Sequence, residues 1–388
     1  MSQFDQLNQR LYTNSVKWDT LETDYEKANL TAFWVADMDF KAAPAIQQAL
    51  SAYIATGIYG YHLLPASLYD AIISWQKRRH NYRIEKEEIL FNSGVVPSLV
   101  MCIQAYTAPG DAVLIHDPVY PPFANVVEMN QRKLIRSTLI NANGQFQLNL
   151  EDMEALIIEN QIKLFILCNP QNPGGRVWSK EELRQIGHLC QKHQVIVISD
   201  EIHQDLILAP HTFTSFQTVE PNFADFSVIL TSATKTFNLA GVKNSMIFIK
   251  NPELRNKFAT LQSATCQGEI NTFGLVATEA AYNHGEAWLE ELLTYLKTNV
   301  DDACCFFEEF LPRVKVMRPE GTYLLWLDFS DYGLTNEELN NKLIYEAGVV
   351  LNNGATFGPS GKQHVRMNVA CPNDVLKKGL KQMSAVFT

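Results

Sequence analysis

The sequence predicts an α/β protein, with a large, mostly parallel sheet covered by helices on both faces and a smaller α+β unit. Two observations predict it. Between residues 89 and 249, short apolar runs (89–91, 112–115, 163–168, 195–198, 228–230 and 246–249) alternate with helical patterns, the order expected of βαβ units. Apart from Lys163 at the start of one, these runs are apolar instead of alternating, so each strand is buried on both faces, as in a parallel sheet. Beyond about residue 280 the texture changes to one long helical pattern followed by isolated strands.

In chain order, residues 1–45 read as an irregular segment that packs with the smaller unit. Within it, Phe33-Trp34-Val35-Ala36-Asp37-Met38-Asp39-Phe40 sets two aspartates among bulky apolar neighbours, the pattern of a partly buried loop with paired polar groups. Pro44 opens a helix, since proline suits the first turn. A Gly-Tyr turn, 57–62, precedes a helix over 66–80 whose apolar stripe is Leu68, Ile72, Ile73 and Trp75. The strand at 89–91 runs through Ser93-Gly94-Val95-Val96 into a helix holding Pro97 in its first turn. The strand at 112–115 ends at His116-Asp117-Pro118, ahead of a helix near 121–130. The strand at 163–168 is closed by Asn169-Pro170-Gln171-Asn172-Pro173-Gly174-Gly175, and Ser179 with Glu182 forms a capping box for the next helix. The strand at 195–198 ends in Ser199-Asp200-Glu201. A helical pattern covers 285–310, with strands at 323–327, 349–351 and 364–369 and helices near 336–347 and at the C-terminus. The expected domains are thus a large one over 46–280 and a small one over 281–388, joined by the segment 1–45.

Composition narrows the function. The 388 residues, 46% hydrophobic and 19% charged, are those of a soluble globular protein. No apolar run approaches the ~18 residues of a membrane span, and the N-terminus lacks the features of a secretory signal. Seven cysteines without a C-x-x-C pair indicate free thiols in a reducing, cytoplasmic setting and no metal site. Net charge is −10, and the largest basic run, Lys77-Arg78-Arg79-His80, sits at a helix end where cations suit the dipole. Nucleic acid is not an expected partner.

Chemistry concentrates where the strands end, because ligands of such sheets bind at their carboxyl edge. Lys235 follows the buried strand at 228–230, where desolvation favours a neutral amine able to attack a carbonyl. Gly94, Val95 and Val96 open a helix and offer free N–H groups to a phosphate, with Ser232 and Lys243 flanking the lysine as a further hydroxyl and charge. Asp200, costly to bury alone, suits a protonated pyridine nitrogen. Tyr120 can stack on a ring face, and Asn172 can donate to a ring hydroxyl. Aldehyde, phosphate, pyridine and hydroxyl together describe pyridoxal phosphate. Read singly, Asp200 is a salt-bridge partner, Asn172 a turn former and Tyr120 a core residue; their joint order with Arg366 is what favours a site. Gly358-Pro359-Ser360-Gly361-Lys362 resembles a Walker ending but lacks its first glycine and its final Ser or Thr.

Over essentially its full length the chain resembles fold-type I pyridoxal-phosphate enzymes of the class I/II aminotransferase group, and within them the MalY/PatB-type cystathionine β-lyases. The runs that carry the likeness are Trp34–Phe40, Tyr59-Gly60-Tyr61, Asn169–Gly175, Ser199-Asp200-Glu201-Ile202-His203, Ser232-Ala233-Thr234-Lys235-Thr236-Phe237-Asn238 and His364-Val365-Arg366-Met367-Asn368. The resemblance implies that Lys235 holds the cofactor and that Asp200 pairs with its ring nitrogen. Asn172 would meet its hydroxyl and Tyr120 its face. It implies a phosphate site of Gly94, Val95, Val96, Ser232 and Lys243, with Tyr61 arriving from the second subunit of a homodimer. Arg366 would grip the substrate carboxylate, and Asn172 and Tyr61 would lie beside that substrate. His203 stands where many aminotransferases place a tyrosine, and Lys243 where many place an arginine. The implied reaction is β-elimination from L-cystathionine or a related cysteine S-conjugate. The alternatives are an aminotransferase, or a regulatory protein of enzyme-like fold, for whose DNA-binding module residues 1–45 are too short and too weakly basic. Loops near 34–40, 61 and 323 are expected to set side-chain selectivity.

Overall fold

The computed structural model describes residues 2–387. Its large sheet contains β1 (Ile89–Asn92), β2 (Ala112–Asp117), β3 (Lys133–Thr138), β4 (Leu164–Cys168), β5 (Ile196–Asp200), β6 (Ser227–Thr231) and β7 (Ser245–Phe248). Their spatial order is β1-β7-β6-β5-β4-β2-β3; β7 runs against both its neighbours, and the other strands share one direction. The expected mostly parallel α/β sheet is therefore present. Its register aligns the carboxyl ends: Cys168 lies opposite Asp200, and Asp200 opposite Leu230.

The uniformly apolar strands are explained by cover on both sides. On β4, Leu164, Ile166 and Cys168 join one core with Leu99 and Ile103 of the helix Val95–Tyr106, Phe123 of Pro121–Met129, and Phe258 of Pro252–Ala264. Phe165 and Leu167 point the other way, into a core shared with Leu183 and Ile186 of the helix Lys180–Lys192. Each such side chain contributes about 1.5–3 kcal/mol when fully buried.

The smaller sheet holds β8 (Lys315–Met317), β9 (Leu324–Asp328), β10 (Asn352–Asn353) and β11 (His364–Asn368), antiparallel in the order β8-β9-β11-β10. The helix Glu286–Phe310 buries Leu289, Leu292, Leu296, Val300 and Phe307 along one side, the 3–4 spacing of an amphipathic helix. The N-terminal segment is hydrogen-bonded to this unit. Thr31–Ala32 pairs in parallel with Val349–Val350, Phe33 donates to Val350 O, and Asn368 N–H donates to Phe33 O.

Several elements differ from the sequence reading. Residues 1–45 include a 3-10 turn at Gln3–Asp5 and a short helix at Leu21–Tyr25. Edge strand β3 is not apolar, because its outer side has no neighbouring strand; Lys133 and Thr138 are exposed. The helices Leu150–Asn160, Pro252–Ala264 and Thr272–His284 are additional to the expected elements. The helix expected near 336–347 is α only over Asn336–Asn341 and continues as a π-helical turn, Lys342–Ala347.

Candidate active site

A cavity opens at the carboxyl edge of the large sheet. Its walls come from chain segments that leave the sheet at neighbouring strand ends. Val95 and Val96 stand at the start of the helix after β1, where first-turn N–H groups have no helical partner. Tyr120 follows β2; Cys168 ends β4 and Asn172 follows it; Asp200 ends β5, with Ile202 and His203 just beyond; and Lys235 follows β6. Ala36 closes the cavity from the N-terminal segment.

Lys235 lies in the four-residue helix Ala233–Thr236, which Ser232 caps through its hydroxyl on Thr234 N–H. Its Nζ donates to Ala36 O at 2.5 Å, and that carbonyl also accepts from Tyr323 Oη at 2.9 Å. Burial pushes the Lys235 amine down to about 8, with Arg366 adding to this and Asp37 and Asp200 opposing it. A neutral amine is therefore accessible near neutral pH. Burial pushes Asp200 up to about 7, against the Ile202 N–H that it accepts at 3.1 Å and against Lys235. Its Oδ2 takes no hydrogen bond from the described residues. Burial, then Lys235 and Arg366, push His203 down to about 3, so its ring is neutral, and its buried Nδ1 has no hydrogen-bond partner among the described residues.

Arg366, on β11, is buried beside this cavity. Its Nη1 donates to Asn172 Oδ1 at 3.1 Å and its Nη2 to Trp34 O at 2.8 Å and to Asn352 Oδ1. Burial lowers its guanidinium to about 10, so it stays cationic at neutral pH. Phe357 packs against its face. Asn172 thereby connects the fork of Arg366 to the cavity wall.

The structure thus gathers Val95, Val96, Tyr120, Asn172, Asp200, His203 and Lys235 around one space, with Arg366 bonded to Asn172. Gly94 caps the helix and its carbonyl accepts from Ser98. Ser232 directs its hydroxyl to Asn244 O at 2.6 Å and to Thr234 Oγ1. Lys243 is exposed and lies outside the cavity wall. Tyr61 is fully exposed, 104%, so a single chain does not bring it to the site. Ala36, Cys168 and Ile202 line the cavity, and Tyr323 and Asn352 support it, without having been singled out by residue type. Of these, Ala36 and Ile202 lie in runs that carry the family likeness, and the regions near 36 and 323 are those expected to set side-chain selectivity.

Behind the lysine lies a fully buried carboxylate. Asp205 accepts from His80 Nε2 at 2.8 Å, Trp75 Nε1 at 3.0 Å and Thr236 Oγ1 at 2.9 Å. Thr236 adjoins Lys235, so this cluster anchors the helix that presents the amine.

Comparison with known proteins agrees with this arrangement. Residues 29–382 match the family model for aminotransferase class I and II. The chain is 41% identical over 385 residues to cystathionine beta-lyase PatB of Bacillus subtilis, covering 99% of this chain and 100% of that one. It is 30% identical to protein MalY of Escherichia coli, covering 98% and 97% respectively. Among solved structures, cystalysin from Treponema denticola, which contains pyridoxal 5'-phosphate, superposes with a TM-score of 0.97 at 31% identity, covering 100% of this chain and 98% of its own. The PLP-bound C-S lyase from Staphylococcus hominis gives 0.93 at 32% identity with the same coverage. With its parallel sheet, its lysine at the carboxyl edge and this full-length match, the chain belongs to the aminotransferase class I and II family.

Proposed function

We propose that this protein is a pyridoxal-phosphate-dependent carbon–sulfur β-lyase that releases a thiol, pyruvate and ammonia from L-cystathionine or a related cysteine S-conjugate. The observation that carries the reading is the convergence of Lys235 and Asp200 on one cavity with Arg366 bonded to its wall at Asn172, in a chain 41% identical to a cystathionine beta-lyase over 99% of its length. The cavity fits the cofactor on its own chemistry. Among the described residues, Asp200 keeps one carboxylate oxygen without a protein donor and His203 has an unpartnered ring nitrogen, while Val95 and Val96 stand where a helix leaves its N–H groups free. Asp200 would pair with the ring nitrogen, Tyr120 would face the ring, and Asn172 and His203 would serve its hydroxyl. Gly94, Val95 and Val96 would hold the phosphate, with Lys243 and Ser232 completing that site only if their side chains turn toward it.

When bound, the cofactor supplies an electron sink for the carbanion formed at the substrate Cα. The remaining work falls to the chain. Arg366 holds the substrate carboxylate with a planar fork fixed by Asn172 and Trp34 O. Lys235, poised near neutrality, accepts the Cα proton at Nζ. Asp200 sustains positive charge opposite its free oxygen. Loss of the thiolate from Cβ then needs no second substrate.

Tyr61 and its apolar neighbours Ile58 and Leu63 are 104%, 79% and 87% exposed. A second copy of the chain would cover them and contribute Tyr61 of the partner subunit to the site, so we assign a homodimer. All seven cysteines are free and no described helix is long and apolar enough to cross a membrane, which supports a cytoplasmic enzyme. The division into a large domain over 46–280 and a small one over 281–388 is part of the same reading. The test is Lys235→Ala: pyruvate release should vanish, and substantial turnover in that variant would overturn the assignment.

A further inference from the structure

The loop 34–40 accepts from both Lys235 and Arg366, yet an N-terminal arm fixes it. Arg10 Nη1 donates to Asp39 Oδ1 at 2.7 Å and to Met38 O at 2.7 Å, while its Nη2 reaches Asp37 Oδ2 at 2.8 Å. Lys17, with only 1% of its side chain exposed, pairs with Asp39 at 2.9 Å and lies 3.6 Å from Asp37. Trp18 Nε1 adds a third donor to Asp39 at 2.9 Å. Lys17 and Asp39 are buried while Arg10 and Asp37 are half-buried, and the four act as a unit because removing one partner leaves a buried charge uncompensated.

The other side of the loop is gripped by the site itself. Asn238, three residues past Lys235, donates to Met38 O and Phe40 O and accepts from Met38 N–H. Asn368, two residues past Arg366, donates to Val35 O and Asp37 O. Between these grips, Trp34 O accepts from Arg366 and Ala36 O accepts from Lys235. When the Lys235 amine is free, the Ala36 carbonyl is therefore its acceptor, and that carbonyl belongs to the loop whose aspartates Arg10 and Lys17 hold.

We infer that Arg10 and Lys17 are positioning residues for the reaction: by clamping Asp37 and Asp39 they set the loop carbonyls against Lys235 and Arg366 and fix the charge that the amine meets. This rests on the reading of Lys235 as the reacting amine. The charged and titratable groups facing that amine are Asp37 from the loop, Asp200 from β5, Arg366 from β11, and the neutral His203. Tyr120 and Tyr323 complete its surroundings through Arg366. Only Asp37 is neutralised from the arm. Without Arg10, its bare carboxylate favours protonation at Lys235; without the carboxylate, the two arm cations disfavour it.

The test uses the full-length, cofactor-loaded protein and the pH titration of its visible absorption, which reports protonation at the Lys235 nitrogen. Arg10→Met should move the midpoint up by about half a pH unit or more, Asp37→Asn should move it down, and Arg10→Lys should leave it near the wild-type value. In parallel, kcat for thiol release should fall about tenfold or more in Arg10→Met. Midpoints that stay fixed, or move the same way in both variants while only thermal stability falls, would overturn the inference. Should Arg10→Met not fold, Asp37→Asn against Arg10→Lys carries the same comparison. Opposite shifts in a protein that releases no thiol would uphold the arm's role and reject the lyase.

Discussion

Replacing Asp205 with alanine removes the acceptor for three buried donors at once. Trp75, His80 and Thr236 all point at this carboxylate, at 3.0, 2.8 and 2.9 Å, and its side chain is fully buried. Hydrogen bonds to a charged acceptor are worth about 1.5–3 kcal/mol each. They are not additive here, and breaking a buried charged cluster costs about 3–5 kcal/mol in total. With an unfolding entropy of about 2.1 cal/mol/K for each of 388 residues, roughly 0.8 kcal/mol/K, the loss corresponds to a Tm lowered by about 4–6 °C. Burial opposes the charge on Asp205, but His80, Arg79 and the Thr236 hydroxyl outweigh it, so the carboxyl titrates below its ordinary value. A depressed carboxyl stabilises the fold above its unfolded pKa, and that contribution is lost as pH falls through the folded value. The gap between wild type and variant should thus be full at neutral pH and narrow only as pH falls below the ordinary carboxylate range. Scanning calorimetry of both proteins at equal cofactor saturation, from neutral pH downward, measures it. A drop under about 1 °C at neutral pH, or a gap undiminished in strong acid, would refute the reasoning.

Other perturbations follow from the same geometry. Arg366→Lys keeps the charge but loses the fork held by Asn172 and Trp34 O, so kcat/KM should fall about 100-fold, roughly 2.7 kcal/mol, in steady-state thiol release; an unchanged value would remove Arg366 from carboxylate binding. Asp200→Ala should weaken cofactor retention on dialysis at least about tenfold, followed by absorbance, because the free carboxylate oxygen facing the cavity is lost. Lys235 must be neutral to accept a proton, and its amine sits at about 8. Turnover should therefore rise as pH increases through that region and decline below it, and a rate that falls over that rise would exclude Lys235 as the base. A methyl group on Gly187 would enter the ring of Phe223, so Gly187→Ala should destabilise the protein by about 1–3 kcal/mol despite the better helix propensity of alanine.

The sheet was legible because burial on both faces forces an unbroken apolar run, as in β4 and β5, and such runs stand out in a single sequence. Strand β3 was not, since an edge strand lacks that constraint and its polar residues, Lys133 and Thr138, read as loop. The carboxyl-edge rule located Asp200, Asn172 and Lys235, because strand ends in a parallel sheet converge whatever their separation in sequence. It did not reach Lys243 or Ser232, whose side-chain directions depend on the exposed turn Ala240–Val242 and on Asn244 O. The paired aspartates of the loop 34–40 were readable as a buried polar cluster. Their partners Arg10 and Lys17 were not, because nothing in the spacing of an irregular arm says where it folds back. Asp205 escaped for a similar reason: one acidic residue four positions after Glu201 gains its meaning only when Trp75 and His80 arrive from a helix more than a hundred residues earlier.

The central claim is β-elimination without a second substrate, and one incubation tests it. The cofactor-loaded protein is mixed anaerobically with L-cystathionine in the absence of any 2-oxo acid, and free thiol and pyruvate are followed together. Equal, sustained release of both is the predicted result. A single turnover that stalls until a 2-oxo acid is added would contradict it and make the protein an aminotransferase.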